Sequence, residues 1–343
     1  MRTRTFSRYC FVILAAFLLT SCSRGPSTIL LNVAGSTFGY PIYSRWFYVY
    51  HQLHPSVDLN YASIGSGGGI EQLRAGTVDF AASDMPLNDQ LLSTFKAKIV
   101  QLTTVMGATV PTYNIPGVHA ELDFTPQALA GIFLGTITNW DDPQITRANP
   151  RVHLPGEKII TIHRSDGSGT TYVFTDYLSK VSPEWKSQVG SNTAVRWPVG
   201  LGGKGSEGVS GLVEQTPYSI GYVELVYALE NHIPYGAVEN PSGKFIKASI
   251  ASVTAAAAGA AEEMRKDIRV SITNAPGEDA YPISCFTYYL VPETFSNPAK
   301  GRIMTDFLHW MLTDGQKYAA PEGYAPLPQA VVQLNLKILS QVH

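Results

Sequence analysis

Apolar and polar positions along this chain repeat in a strand–turn–helix order. ILLNVAG (29–35) is apolar and β-prone, and Ile42, Trp46, Val49 and Leu53 follow it at helical spacing. DLNYASIG (58–65) reads as a second strand with a short helix from Ile70 behind it. VDFAASD (78–84) reads as a third, followed by Pro86 and a helix near 89–98. KIITIH (158–163) is a fourth, and Val173, Phe174, Tyr177 and Leu178 form the apolar face of the next helix. The Ala-rich piece 250–262 and the set Ile303, Phe307, Trp310 and Met311 mark two further helices. Strands alternating with helices imply an α/β fold with a mainly parallel sheet. Two stretches, 104–114 and 281–290, read as crossings between domains. They predict one domain at 28–107 plus 285–343 and a second at 108–284.

The extreme N-terminus breaks this order. MRTRTFSRYCFVILAAFLLTSC carries Arg2, Arg4 and Arg8 ahead of an apolar run from Cys10 to Leu19. That run is too short for an ordinary transmembrane helix and reads as a signal peptide, residues 1–21. It ends in Leu19-Thr20-Ser21-Cys22, which resembles a bacterial lipobox, with Cys22 lipidated and first in the mature chain; a plain signal peptide with an incidental cysteine is the alternative. Cleavage would remove three arginines and no acid, moving the net charge from −2 to −5. Only Cys285 then remains as a thiol, so no intramolecular disulfide can form. Such a charge gives no footprint for nucleic acid. The 343 residues suffice for two ordinary domains, and 30 Gly with 22 Pro indicate a fold rich in turns.

The chemistry lies in those turns. In α/β sheets ligands bind at the carboxyl ends of strands, and small polar residues stand there: GSTF after the first strand, GSGGG after the second, Ser83-Asp84 after the third and RSDGSGT after the fourth. Gly, Ser and Thr at a helix start let an anion approach unpaired backbone N–H groups at the positive end of the helix dipole. Thr37-Phe38, Ser66-Gly67 and Ser168-Gly169-Thr170 could each offer donors to one oxyanion. Each turn could also be a plain helix cap. Arg164 adds a fork of charged donors, and Asp166 is placed to pair with it. Asp84 is unexpected beside an anion. An ionised carboxylate only accepts hydrogen bonds, so it would take the proton of hydrogen phosphate and repel a bare sulfate oxygen. A turn or cap role is the alternative for either aspartate.

The chain resembles the periplasmic phosphate-binding proteins of the bacterial ABC phosphate importer, the PstS family. The resemblance runs through AGSTFGYPIYSRW (34–46), ASIGSGGGIEQLRAGTVDFAASDMPL (62–87), GIFLGTITNWDDPQI (131–145), RSDGSGTTYVFTDYLSKVSPEWK (164–186), WPVGLGGKGSEGV (197–209) and SIGYVEL (219–225). It implies a two-domain periplasmic-binding-protein fold of type II, with two mixed sheets flanked by helices and joined by a two-segment hinge. It also implies a non-enzymatic monomer without a cofactor, which closes over one phosphate and delivers it to the importer's permease and ATPase subunits from the periplasm or cell surface. Carried over by motif, the phosphate ligands are Thr37, Phe38, Ser66, Asp84, Arg164, Ser168, Gly169 and Thr170, with Asp166 bracing Arg164. The chain departs from the family in having Ser66-Gly67 for two serines, where a small effect is expected. It also has TFGYP for the more usual TFPAP, which bears on the helix start beside Phe38.

Three other functions fit parts of the chain. GLGGKG (200–205) matches the dinucleotide pattern G-x-G-x-x-G, with Glu224 further on, but a lone match is weak. No G-x-S-x-G elbow or H-E-x-x-H pair accompanies it, and His163 reads as a strand-end residue. A sulfate binder would have no use for Asp84. An adhesin that lost its ligand would have no use for an intact set of turns.

Overall fold

The computed structural model of the protein describes residues 28–343; the predicted leader and Cys22 lie outside the described residues. The strands are β1 (Ile29–Gly35), β2 (Val57–Ser63), β3 (Phe80–Ser83), β4 (Ile99–Asn114), β5 (Asp123–Phe124), β6 (Ile160–Arg164), β7 (Leu201–Gly203), β8 (Ser219–Glu224), β9 (Ala237–Glu239), β10 (Phe245–Ile246) and β11 (Ser284–Pro292). Eight of them form one connected sheet in the order β2-β1-β3-β11-β4-β8-β6-β7, and β10-β9-β5 form a second.

The sheet is mixed, with parallel flanks on an antiparallel centre, which corrects the mainly parallel expectation. β1 pairs in parallel with β2 and β3, and β6 with β8 and β7. Between these sets β11 pairs antiparallel with β3 and β4, and β4 antiparallel with β8. The stretches read as crossings are these central strands. β4 is buried along nearly its whole length, so its pattern carries no alternation to mark a strand. Residues 99–108 of β4 pair with β11, and 109–114 pair with β8. One long strand thus serves both halves of the molecule.

Strand direction decides where the turns go. β11 is antiparallel to both β3 and β4, so β4 runs the same way as β1, β2 and β3. β6, β7 and β8 run against it. The carboxyl ends of β1–β3 therefore point towards the second half, and those of β6–β8 point back towards the first. Both sets of polar turns meet near the middle of β4.

Helices cover the sheet largely where the periodicity placed them. In Tyr40–Leu53 the buried stripe is Ile42, Tyr43, Trp46, Phe47 and Tyr50, while Leu53 faces solvent at the helix end. The second helix starts at Ser66, four residues before the expected Ile70. The helix expected over 89–98 stops at Leu92, where the Ser93 and Thr94 hydroxyls donate to the Gln90 and Leu91 carbonyls. Gly169–Val181 buries Val173, Phe174, Tyr177 and Leu178, and Phe174 stacks on Tyr222 of β8 at 4.4 Å. Such aromatic packing fixes the helix start against the end of β6.

Candidate functional site

The end of β6 supplies the centre of the seam. Arg164 is buried, its side chain only 1% exposed. Its Nε and Nη2 donate to the two carboxylate oxygens of Asp166 at 2.8 and 2.6 Å. This bidentate pairing orients the guanidinium. Asp166 Oδ1 also accepts from the backbone N–H of Gly205 at 3.0 Å. Burial works against both charges. The mutual pairing outweighs it, holding Arg164 above its ordinary pKa and Asp166 below its own.

The remaining nitrogen, Nη1, faces a ring of hydroxyls. It donates to Thr37 at 3.0 Å, Ser206 at 3.2 Å and Thr170 at 3.4 Å. Thr37 and Ser206 hydroxyls lie 2.8 Å apart. Thr37 belongs to the first half and the others to the second, so this ring spans the seam. Asp84, at the end of β3, stands on the first-half side. Both of its oxygens accept from the Ser36 hydroxyl, at 2.6 and 2.8 Å, and Ser66 donates to Oδ2 at 3.4 Å. Burial raises the Asp84 pKa from 3.8 to about 7, with the negative charge of Glu224 adding to it and the Ser36 hydrogen bonds opposing it.

Glycines let the two halves touch. A Cβ on Gly169 would run into the Asp84 carboxylate and the Ser66 hydroxyl across the seam. Gly67 donates its N–H to the Gly167 carbonyl at 2.8 Å, and a Cβ on Gly67 would lie 2.9 Å from the Gly167 Cα. The Gly67 N–H is therefore committed to the seam contact, and the serine to glycine departure at this position is a backbone contact between the halves. At Gly39 a side chain would strike the Tyr43 ring, so the TFGYP departure matches the local packing.

The first turn is held from outside. Tyr61, Tyr227 and Tyr324 donate their hydroxyls to the successive carbonyls of Ser36, Thr37 and Phe38, at 2.6, 3.0 and 2.5 Å. A trans peptide places the following N–H opposite its carbonyl, so the first two of these bonds turn the N–H groups of Thr37 and Phe38 away from the tyrosines. The Phe38 ring is buried against Tyr324. Ser168 caps its helix by accepting from Thr171 N at 3.1 Å, which leaves its hydroxyl proton free to donate.

All eight expected ligand residues thus come together with Asp166 at one seam. Sequence reasoning missed Ser36, Ser206, Glu224 and the three tyrosines. Ser36 was legible as a small polar residue inside the GSTF turn, and Ser206 directly follows GLGGKG, whereas the tyrosines carry no local signal. The G-x-G-x-x-G stretch forms β7 and the start of the Gly205–Gln215 helix. Its last glycine holds Asp166 and its next residue, Ser206, meets Arg164. His163 stacks on Trp197 at 4.8 Å, and burial lowers its pKa.

Comparison with known proteins agrees with this geometry. A family model described as a PBP superfamily domain matches residues 23–315. The phosphate-binding protein PstS of Xylella fastidiosa (strain Temecula1) is 45% identical over 307 residues, covering 89% of this chain and 84% of the relative. That of Pasteurella multocida is 40% identical over 322 residues, covering 94% and 93%. A solved high-affinity periplasmic phosphate-binding protein, bound with phosphate, shares the fold with a TM-score of 0.70 at 21% identity, covering 89% of this chain and 92% of that one. With relatives this similar over nearly its whole length, the chain belongs to the PstS family of phosphate-binding proteins, within the PBP superfamily.

Proposed function

We propose that the protein captures inorganic phosphate outside the cytoplasmic membrane and hands it to the permease and ATPase subunits of an ABC importer, without chemistry. The observation that carries the reading is the seam itself: one buried arginine, held by Asp166, points its Nη1 into a ring of hydroxyls from both halves, opposite a carboxyl that can receive an acidic proton. Thr37, Phe38, Ser66, Ser168, Gly169 and Thr170 surround the ligand with backbone and hydroxyl donors, Arg164 supplies the charge, and Asp84 accepts the P–OH proton. The site fits one tetrahedral anion buried between halves, because donors from both are needed to satisfy its oxygens.

The halves, 28–107 plus 285–343 and 108–284, act as two domains that rotate about the mid-points of β4 and the start of β11. Phosphate favours the closed state because only that state completes the ring of donors. Among the described residues no helix is long and apolar enough to cross a membrane. A lipid on Cys22 would keep the protein, as a monomer, at a membrane facing the periplasm or cell surface. The test is calorimetric titration of residues 23–343, stripped of ligand, with phosphate and then sulfate. Tight one-to-one phosphate binding without a sulfate response is expected. Equal binding of both discards the role of Asp84, and binding of neither by folded protein discards the function.

A further inference from the structure

Glu224, the last residue of β8, is a third carboxyl at the seam, and the phosphate reading gives it no role. It is 1% exposed. Its Oε1 accepts the hydroxyl proton of Thr170, and its Oε2 has no hydrogen-bond partner among the described residues. Arg164 Nη1 donates to the same Thr170 oxygen at 3.4 Å. A hydroxyl has one proton. While Glu224 takes it, Thr170 has none for an anion, yet Thr170 stands in the ring as a donor.

The charges around Glu224 sharpen the conflict. Arg164 faces it from the end of β6, with Ser206 beside it, and Asp84 from the end of β3. Tyr227 lies on the adjoining helix, Tyr324 on the C-terminal segment and Cys285 on β11. One arginine thus serves three carboxyls at the seam, Asp84, Asp166 and Glu224, before any anion enters. If Thr170 turned its proton to an anion while Glu224 stayed ionised, a buried carboxylate would lose its Thr170 hydrogen bond beside a further negative charge. Such a group neutralises instead.

We propose that Glu224 is a positioning residue that carries a proton whenever an anion occupies the seam. The neutral carboxyl then donates to Thr170 Oγ1, and the Thr170 hydroxyl turns its own proton to the anion. The proton comes from solvent: the carboxylate gains one H⁺, and no bond other than hydrogen bonds changes. Burial already raises the Glu224 pKa in the absence of an anion, against the pull of Arg164. The proposal rests on the reading of the seam as a phosphate site.

The test is calorimetry of the mature chain with inorganic phosphate at a series of pH values from 6 to about 10, in two buffers of different ionisation heat at each, for the wild type and Glu224→Gln. The glutamine amide keeps the shape and donates permanently to Thr170. The wild type should take up close to one proton more per phosphate than the variant. Its Kd should climb about tenfold per pH unit above the Glu224 pKa, relative to the variant. Equal proton counts with parallel pH profiles would overturn the proposal while leaving the phosphate site intact. Loss of binding at every pH by a folded variant would overturn it too, since the ionised acid would then be required. A wild type that binds no phosphate overturns both readings. If the variant does not fold, infrared difference spectra of the wild type decide: phosphate should raise a protonated-carboxyl band that moves on selective 13C labelling of glutamate, and a band that does not move refutes the assignment.

Discussion

Asp84 should make sulfate rejection depend on pH. Sulfate oxygens only accept hydrogen bonds at neutral pH, so an ionised Asp84 meets them with lone pairs against lone pairs. A protonated Asp84 can donate instead. Its pKa of about 7 leaves about a tenth of the molecules with a neutral carboxyl at pH 8 and about nine-tenths at pH 6. Only that fraction can receive sulfate, so the apparent sulfate Kd should fall about tenfold between pH 8 and pH 6. Phosphate brings its own proton and gains nothing comparable from Asp84. At pH 8 the neutral fraction sets the Asp84 share of sulfate rejection at about tenfold. Asp84→Asn keeps the side-chain shape and always has an amide donor, so it should bind sulfate at least tenfold better at pH 8 and lose the Asp84 share of the pH slope. The assay is competition of sulfate against phosphate by calorimetry at pH 6, 7 and 8 and fixed ionic strength, in both proteins. Parallel sulfate slopes in the two, or an asparagine variant that rejects sulfate as strongly as the wild type, would refute the reasoning.

Three other changes test neighbouring parts of the site. Gly67→Ala places a methyl 2.9 Å from the Gly167 Cα and displaces the 2.8 Å Gly67–Gly167 hydrogen bond; phosphate affinity should fall about tenfold, with the melting temperature of the ligand-free protein nearly unchanged, as a lost hydrogen bond of about 1 kcal/mol plus a shifted contact implies. Asp166→Asn removes the charge that holds Arg164 and should raise the phosphate Kd about 10- to 100-fold by calorimetry, because hydrogen bonds to charged groups contribute about 1.5–3 kcal/mol. The raised pKa of Asp84 also has a stability sign: its contribution is fully present below about pH 4 and is lost as pH rises through about 7, at most about 4 kcal/mol. Urea melts of ligand-free protein should therefore fall in stability from pH 5 to pH 8 less steeply for Asp84→Asn than for the wild type.

Most of the site was legible because its residues sit at strand ends, which local pattern locates well. Ser66, Asp84, Arg164 and Thr170 each follow an apolar β-prone run in the chain. What joins them was not legible. Glu224 closes SIGYVE as an ordinary polar terminus, and nothing near it in the sequence announces Thr170, 54 residues earlier. The three tyrosines that hold the first turn come from three distant stretches, and a tyrosine in a strand or helix looks like core. The antiparallel centre was read as a pair of crossings because β4 and β11 are buried on both faces and lack the period of a half-exposed strand. Leu53 shows the opposite failure: its spacing fits the apolar stripe, but the helix ends there and leaves it exposed at 56%.

The position of β11 has a consequence for biogenesis. This strand, residues 284–292, lies between β3 and β4, which are otherwise unpaired with each other. A ribosome that has released residues 1–114 has made β1 through β4, but the sheet they belong to has a gap in its middle. Until the late strand arrives, β3 and β4 each offer an open edge. The closing contact joins segments nearly two hundred residues apart, which makes folding slow and late. Tyr324, which pins Phe38, emerges later still. A nascent chain of this kind stays open while it is being made, a state suited to the export proposed above, and its seam is complete only when almost the entire polypeptide has been made.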